Sequence, residues 1–121
     1  MPEARSLSFP RKRRLTRASE FERVKQAGCV QRGKLVMLGV LAVQNSGACR
    51  AGFVTTRRLG GAVARNRVRR RMREIVRKHQ NNLREDLWIV VVARADAMRA
   101  SYHALEDEWL RLAERASILA L

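Results

Sequence analysis

Residues 57–78 read RRLGGAVARNRVRRRMREIVRK. The stretch holds ten Lys or Arg residues against one acid, Glu74. Val68, Met72, Ile75, Val76 and His79 recur at i, i+4, i+7, i+8 and i+11, the spacing of one helix face. Arg65, Arg69 and Arg73 run beside that face. Asn66, Arg70 and Arg77 lie further round, and Arg67, Arg71 and Lys78 further still. At 100° per residue the cations cover more than half the circumference. Such a helix docks on a core with one side and offers a polyanion the other.

The flanking segments supply the core. Upstream, Lys34 to Gln44 predicts a strand without polar alternation, and so one buried on both faces. Asn45-Ser46-Gly47 predicts a turn, and Cys49 to Thr56 a second strand pairing with the first as a hairpin. Downstream, Asn81-Asn82 predicts a loop and Leu87 to Ala93, LWIVVVA, a third strand. Ser101 caps a last helix, with Leu105, Trp109, Leu112 and Ala116 on its apolar face and Glu106, Asp107, Glu108 and Glu114 on the other. Near the N-terminus, Ser19 and Glu22 have capping-box spacing for a short helix that Gly28 closes, with Leu15 stapling its entry. A weak edge strand falls at 29–32. The result is helices laid on one small sheet, an α/β (α+β) two-layer sandwich. Residues 1–14 predict a flexible basic arm ending in Arg11-Lys12-Arg13-Arg14, residues 15–116 a single domain, and 117–121 a tail.

A length of 121 residues and a hydrophobic fraction of 46% suit one soluble domain with a real core. The net charge is +15. It divides unevenly: residues 1–34 contribute +7, residues 57–79 contribute +9, and the remainder −1. The excess is therefore a positioned surface rather than a general solubility device, and nucleic acid is the polyanion it best fits. With three Phe, two Trp and one Tyr, a surface lined by many stacking aromatics is not expected.

Cys29 and Cys49 form no CxxC and have no His at metal spacing, which predicts two free thiols in a reducing compartment. His79 reads as helix-end packing, His103 as surface, Trp88 and Trp109 as core, and Asp86 and Asp96 as turn residues. No secretory h-region and no run near the ~20 residues of a membrane span is present, so the chain is expected in the cytoplasm. No carboxylate pair or Ser-His-Asp set suggests catalysis by the protein itself, and no metal-ligand set is visible.

The phosphate chemistry is specific. Gly60 and Gly61 allow a turn that brings the strand end to the helix start. Arg57, Arg58 and the first helical turn then cluster beside the N-terminal amides, which suits phosphate oxygens. Nine of the ten bases are Arg, whose fork grips phosphate bidentately. Asn66 can hold a neighbouring Arg or read a sugar or base edge.

Residues 55–77, TTRRLGGAVARNRVRRRMREIVR, resemble the signature of the bacterial ribonuclease P protein family. Its hallmark is an Arg-Asn-Arg core in a basic helix, here Arg65-Asn66-Arg67. The double base Arg57-Arg58 after a strand, the Gly60-x-Ala62-Val63 approach and the Val68-Arg69-Arg70 continuation with Arg73 also match. RLTRASEFERV upstream is similar to the family's first helix and DLWIVVVAR to its last strand. The resemblance spans roughly residues 11 to 115.

It implies the fold αβββαβα, with a small mixed sheet and a left-handed βαβ crossover. It implies a protein subunit that partners a catalytic RNA and assists removal of the 5′ leader of precursor tRNA. Mg2+ is then held mainly by the RNA and the substrate, and no obligate protein partner or membrane is involved. Arg65, Arg67 and Arg70 are expected on the catalytic RNA, with Arg57 and Arg58 in the same RNA-binding set. Asn66, Arg69 and Arg73 are expected nearer the substrate or the metal-rich RNA. The leader set is Phe21, Lys25, Leu38 and Phe53. Lys25 stands where the family has a second aromatic and Leu38 where a strand aromatic is frequent, which leaves open whether phosphate contact through Lys25 substitutes for stacking. The residues alone leave a second class open, a non-catalytic RNA-binding or ribosomal protein. A membrane-surface or calmodulin-target helix ranks well behind, because the apolar stripe lacks Trp, Phe and Leu.

Overall fold

Two apolar runs, VMLGVLA and LWIVVVA, have no polar face to give to water, and they form the two central strands of a four-stranded sheet. In the computed structural model, which describes residues 13–120, the elements run α1 (Ala18–Ala27), β1 (Cys29–Arg32), β2 (Val36–Ala42), β3 (Arg50–Val54), α2 (Ala62–Lys78), β4 (Leu87–Ala93) and α3 (Tyr102–Arg115). This is the αβββαβα order, and the weak edge strand at 29–32 is formed.

The sheet order is β1-β2-β4-β3. β1 and β2 pair antiparallel, β2 and β4 antiparallel, and β3 and β4 parallel with α2 as the connection. The expected hairpin between β2 and β3 is therefore not made: β4 lies between them. β4 is buried along most of its length, so it takes a central place, and β3, carrying Arg50, takes the edge. The 43–49 link crosses the entry to β4. There Asp86 takes the N–H of Gly47 on its carboxylate at 2.9 Å and donates its own N–H to the Gly47 carbonyl at 2.7 Å.

Alternation along the strands sends side chains to two different environments. Leu38, Ala51, Ile89 and Val91 face the side covered by α2 and α3, where they join Val68, Met72, Ile75, Val76, Leu105, Trp109 and Leu112 in the main core. Trp88 and Val90 face the other side, with Leu15 and Val24. Among the described residues only α1 crosses that side, over β2 and β4, and they leave much of it open.

The N-terminal details differ from expectation. α1 starts at Ala18, and the reaching carboxylate is Glu20 rather than Glu22: its Oε1 accepts the N–H groups of Thr16 and Arg17 at 3.0 and 3.1 Å. Burial raises the Glu20 carboxyl, but these two bonds and Arg50 at 2.8 Å outweigh it and hold it below the usual value. Arg13 and Arg14 do not belong to a free arm. Arg14 bridges to Ala51 along the outer edge of β3, and Arg13 donates to the Gln80 side chain at 2.9 Å. An unpaired strand edge recruits backbone, which is why the fold begins earlier. Arg11 and Lys12 lie outside the described residues. The expected tail is also packed, with Ile118 buried and Leu119 bridging to Leu83. Cys29 is exposed and Cys49 buried, both free. Burial pushes the Cys49 thiol up to about 12 against the pull of Arg13.

Candidate nucleic-acid interface

The basic helix starts where β3 ends. A single 3-10 turn, Arg57–Leu59, buries Leu59 and leaves Arg57 and Arg58 exposed. Gly60 follows at φ 129°, a backbone region open to glycine, with Met98 and Ala64 packed close. Gly61 is the N-cap and offers no side chain, and the first turn of α2 holds no acid. Val63 stands 77% exposed beside it. The positive end of the helix dipole thus meets Arg57, Arg58 and Arg65, which form no ion pair among the described residues although Asp96 lines the depression at Arg58, an arrangement that favours a bound anion.

Along α2 the stripe Val68, Met72, Ile75 and Val76 is buried as the spacing predicts, and His79 closes the helix. The His79 ring stacks on Trp109 at 5.8 Å. Outside the stripe the arginines divide. Asn66, Arg67 and Arg70 are exposed and Arg65 half-buried. Arg69 is braced: it donates to Asn66 Oδ1 at 3.2 Å and to Thr55 Oγ1, at the end of β3, at 2.7 Å. Asn66 therefore does hold a neighbouring Arg. Arg73 is half-buried, and burial together with Arg14, Arg69 and Arg70 lowers its pKa. Arg71 is tied off, donating to the Ala100 carbonyl at 3.1 Å. Arg77 pairs with Glu74 at 3.1 Å.

The open side of the sheet forms a groove of about 440 Å³. Its floor is Val90 and Val92 of β4 with Met37 and Gly39 of β2. One wall is Phe21, Glu22, Val24 and Lys25 of α1, with Glu22 its one acid, and Val30, Arg32 and Val54 complete it. Phe21 can lie down on β3 because residue 52 is glycine; a Cβ there would sit 2.5 Å from the ring. A second depression, lined by Lys34, Thr56 and Arg58, shares Met37 and Val92 with the groove. The groove is thus continuous with the arginine cluster at the head of α2.

Of the expected leader set, Phe21 and Lys25 line this groove and two residues do not. Leu38 is 0% exposed and packs beneath α2 and α3, on the opposite side of the sheet. Phe53 packs against the same core. In a strand, neighbours alternate sides, so the groove receives Met37 and Gly39 rather than Leu38, and Val54 rather than Phe53. The alternation would have found Met37, Val54 and Val30 once any one residue of each strand had been assigned its side. Trp88, expected as core, is buried with Arg23 and Arg50 over its ring at 4.9 and 5.4 Å.

Two acids expected on the solvated side of α3 are buried instead. Glu108 Oε2 accepts the N–H groups of Leu35 and Val36 at 2.6 and 2.8 Å, where β2 begins without a strand partner for them. Glu106 receives Lys78 at 3.0 Å and His79 at 2.9 Å. Among the described residues no three His, Cys, Asp or Glu side chains are grouped to hold a metal ion, and no helix is long and apolar enough to cross a membrane.

Residues 9–117 match the Ribonuclease P family. The chain is similar to the ribonuclease P protein component of Syntrophomonas wolfei, 30% identical over 112 residues that cover 91% of this chain and 92% of that protein. It is 36% identical over 106 residues to that of Symbiobacterium thermophilum, with 88% and 92% covered. Its fold matches the RNase P protein structure from Staphylococcus aureus with a TM-score of 0.83 at 20% identity, covering 88% of this chain and 97% of that one. The Thermotoga maritima protein matches with 0.76 at 24%, covering 84% and 96%.

Proposed function

The chain belongs to the ribonuclease P protein family and is a protein component of that ribonucleoprotein endoribonuclease; from this premise we propose that α2 binds the catalytic RNA while the groove holds the 5′ leader of precursor tRNA. The RNA then removes the leader and leaves the mature tRNA 5′ end. The observation that supports this most directly is the junction at Arg58, where the groove runs into the arginine cluster at the uncapped head of α2. Two polyanions that repel each other must meet in this reaction, and one cationic surface that touches both lowers that repulsion.

On this reading Arg65, Arg67 and Arg70 meet the catalytic RNA together with Arg57 and Arg58. Asn66, Arg69 and Arg73 face the substrate or the metal-rich RNA, with Arg69 braced for the task. Leader bases lie on Phe21 and the apolar floor that Met37 and Val54 help to form, and leader phosphates meet Lys25 and Arg32. The magnesium ions are held mainly by RNA and substrate. The work is done in the cytoplasm and calls on no obligate protein partner.

Reconstitution tests the proposal. Mixed with a ribonuclease P RNA at low magnesium, the protein should stimulate removal of the leader at the correct site, and purified protein free of RNA should cleave nothing. A plain RNA-binding protein would leave precursor tRNA uncut in both. With six to eight phosphate contacts, roughly, RNA affinity should fall with a log–log salt slope of about −4 to −7. A slope near −1 would remove the polyelectrolyte basis of the reading.

A further inference from the structure

Arg32, Lys34, Arg94, Arg111 and Arg115 come from the β1–β2 turn, the end of β4 and α3, and they are all exposed. They gather around residue 33. Arg94 donates to the Gly33 carbonyl at 3.1 Å, and Arg32, Lys34, Arg111 and Arg115 line a depression of about 340 Å³ there. The cluster lies by β1 and α3, at the sheet margin opposite β3, along which Arg14 pairs.

Only one acid, Glu108, lines the depression, and its Oε2 is already committed to the N–H groups of Leu35 and Val36. Arg111, whose side chain is 66% exposed, approaches the remaining oxygen no closer than 3.9 Å. Arg32, Lys34, Arg94 and Arg115 pair with no carboxylate among the described residues. Five cations around a single acid, Glu108, keep the local potential positive and favour a multivalent anion. Position then selects among anions. Arg32 lines both this depression and the groove, and Lys34 lines both this depression and the one at Arg58. A strand leaving the groove past Arg32 would arrive on this cluster without crossing neutral surface.

We propose that the β1–β2 turn and the exposed side of α3 form a second phosphate-binding surface, which takes the backbone of single-stranded RNA extending out of the groove. It rests on the reading of the groove as the leader site and extends it: contact grows with leader length. Recognition is by phosphate charge alone, so it is independent of base identity.

The test uses the reconstituted holoenzyme and two precursor tRNAs, one with a leader just long enough to fill the groove and one about twice as long. Arg111→Gln with Arg115→Gln should weaken binding of the long-leader substrate roughly 5- to 20-fold, as loss of two charge-assisted contacts does. Binding of the short-leader substrate and of the catalytic RNA should stay within about twofold. A photo-reactive group at the 5′ end of the long leader should attach to the β1–β2 turn or α3. Equal losses for both leaders would make the cluster a diffuse field, loss confined to the catalytic RNA would assign it to that partner, and no loss would leave it a solvated surface; each overturns the proposal. Lys25→Ala separates the two readings. If it leaves both substrates unaffected while the long 5′ end still attaches to α3, the groove assignment fails and the second surface stands. If the 5′ end attaches elsewhere, the second surface fails whatever Lys25 does.

Discussion

α2 and α3 lie side by side on one face of the sheet, and their charged residues do opposite work. α2 carries one acid in its 17 residues and an uncapped start, and Arg67 and Arg70 stand exposed on it with no ion pair among the described residues. α3 is capped by Ser101, whose Oγ accepts the Ala104 N–H at 3.0 Å, and two of its acids are turned inward to hold the fold. One helix leaves part of its charge unpaired at the surface. The other uses its charge to close backbone and side-chain bonds that burial would leave open. The difference teaches that a charged side chain on an amphipathic helix is not by itself surface. What decides is whether a neighbouring element presents unpaired donors within reach.

The largest effect expected from this contrast is at Glu108. Glu108→Ala removes both acceptor bonds from the start of β2, so the protein should lose about 2–4 kcal/mol of stability in urea unfolding. Affinity for the catalytic RNA should not fall. A stability change under about 0.5 kcal/mol would mean that water serves those N–H groups as well as the carboxylate does.

Next in size is the converse on α2. Arg67→Ala should cost about 1–3 kcal/mol in catalytic-RNA affinity and leave the unfolding midpoint unchanged. Arg71→Ala, one turn on, should cost well under about 1 kcal/mol in RNA affinity. The sequence alone predicts that both variants fold like the parent. The bond from Arg71 to the Ala100 carbonyl changes that expectation for Arg71, whose loss should lower stability by about 0.5–1.5 kcal/mol. Equal RNA losses for the pair at one salt and magnesium concentration would reduce α2 to a smear of charge.

The smallest effect concerns Glu106, where the two helices meet through Lys78 and His79. Burial raises its carboxyl, but the hydrogen bonds and charges of His79 and Lys78 outweigh that and leave it below the ordinary value. A carboxyl lowered in the folded state contributes stability above its unfolded pKa, near 4.5, and the contribution is lost as pH falls through the folded value. Glu106→Gln should therefore lower stability at neutral pH by about 1 kcal/mol and flatten part of the acid limb of the stability–pH curve. An acid limb identical to the parent's would remove the contact between α2 and α3 as the cause.

Much of the fold was legible because periodicity is local information. The stripe from Val68 to His79, the apolar runs of β2 and β4 and the Ser101 cap each follow from neighbours a few residues apart. The cationic helix was legible for the same reason, since its charges are contiguous in sequence. Strand order was not, because β4 enters between β2 and β3 from more than thirty residues downstream of β3, drawn by burial on both of its faces. Nor was the side of the sheet that Leu38 and Phe53 face: the resemblance implied both for the leader set, but the packing of α2 and α3 decides which side of the sheet is dry, and both residues lie there. The buried acids of α3 and the cluster around residue 33 were invisible in the sequence for a further reason. The segments around 94 and 111–115 carry little net charge when summed with their own neighbours, and tertiary contact alone joins their cations to Arg32 and Lys34 and hides the acid among them. Sequence by itself determined which elements form and which helix gathers the positive charge. Tertiary structure decided which side chains share a surface, because residues distant in the chain become neighbours only when a common core is buried.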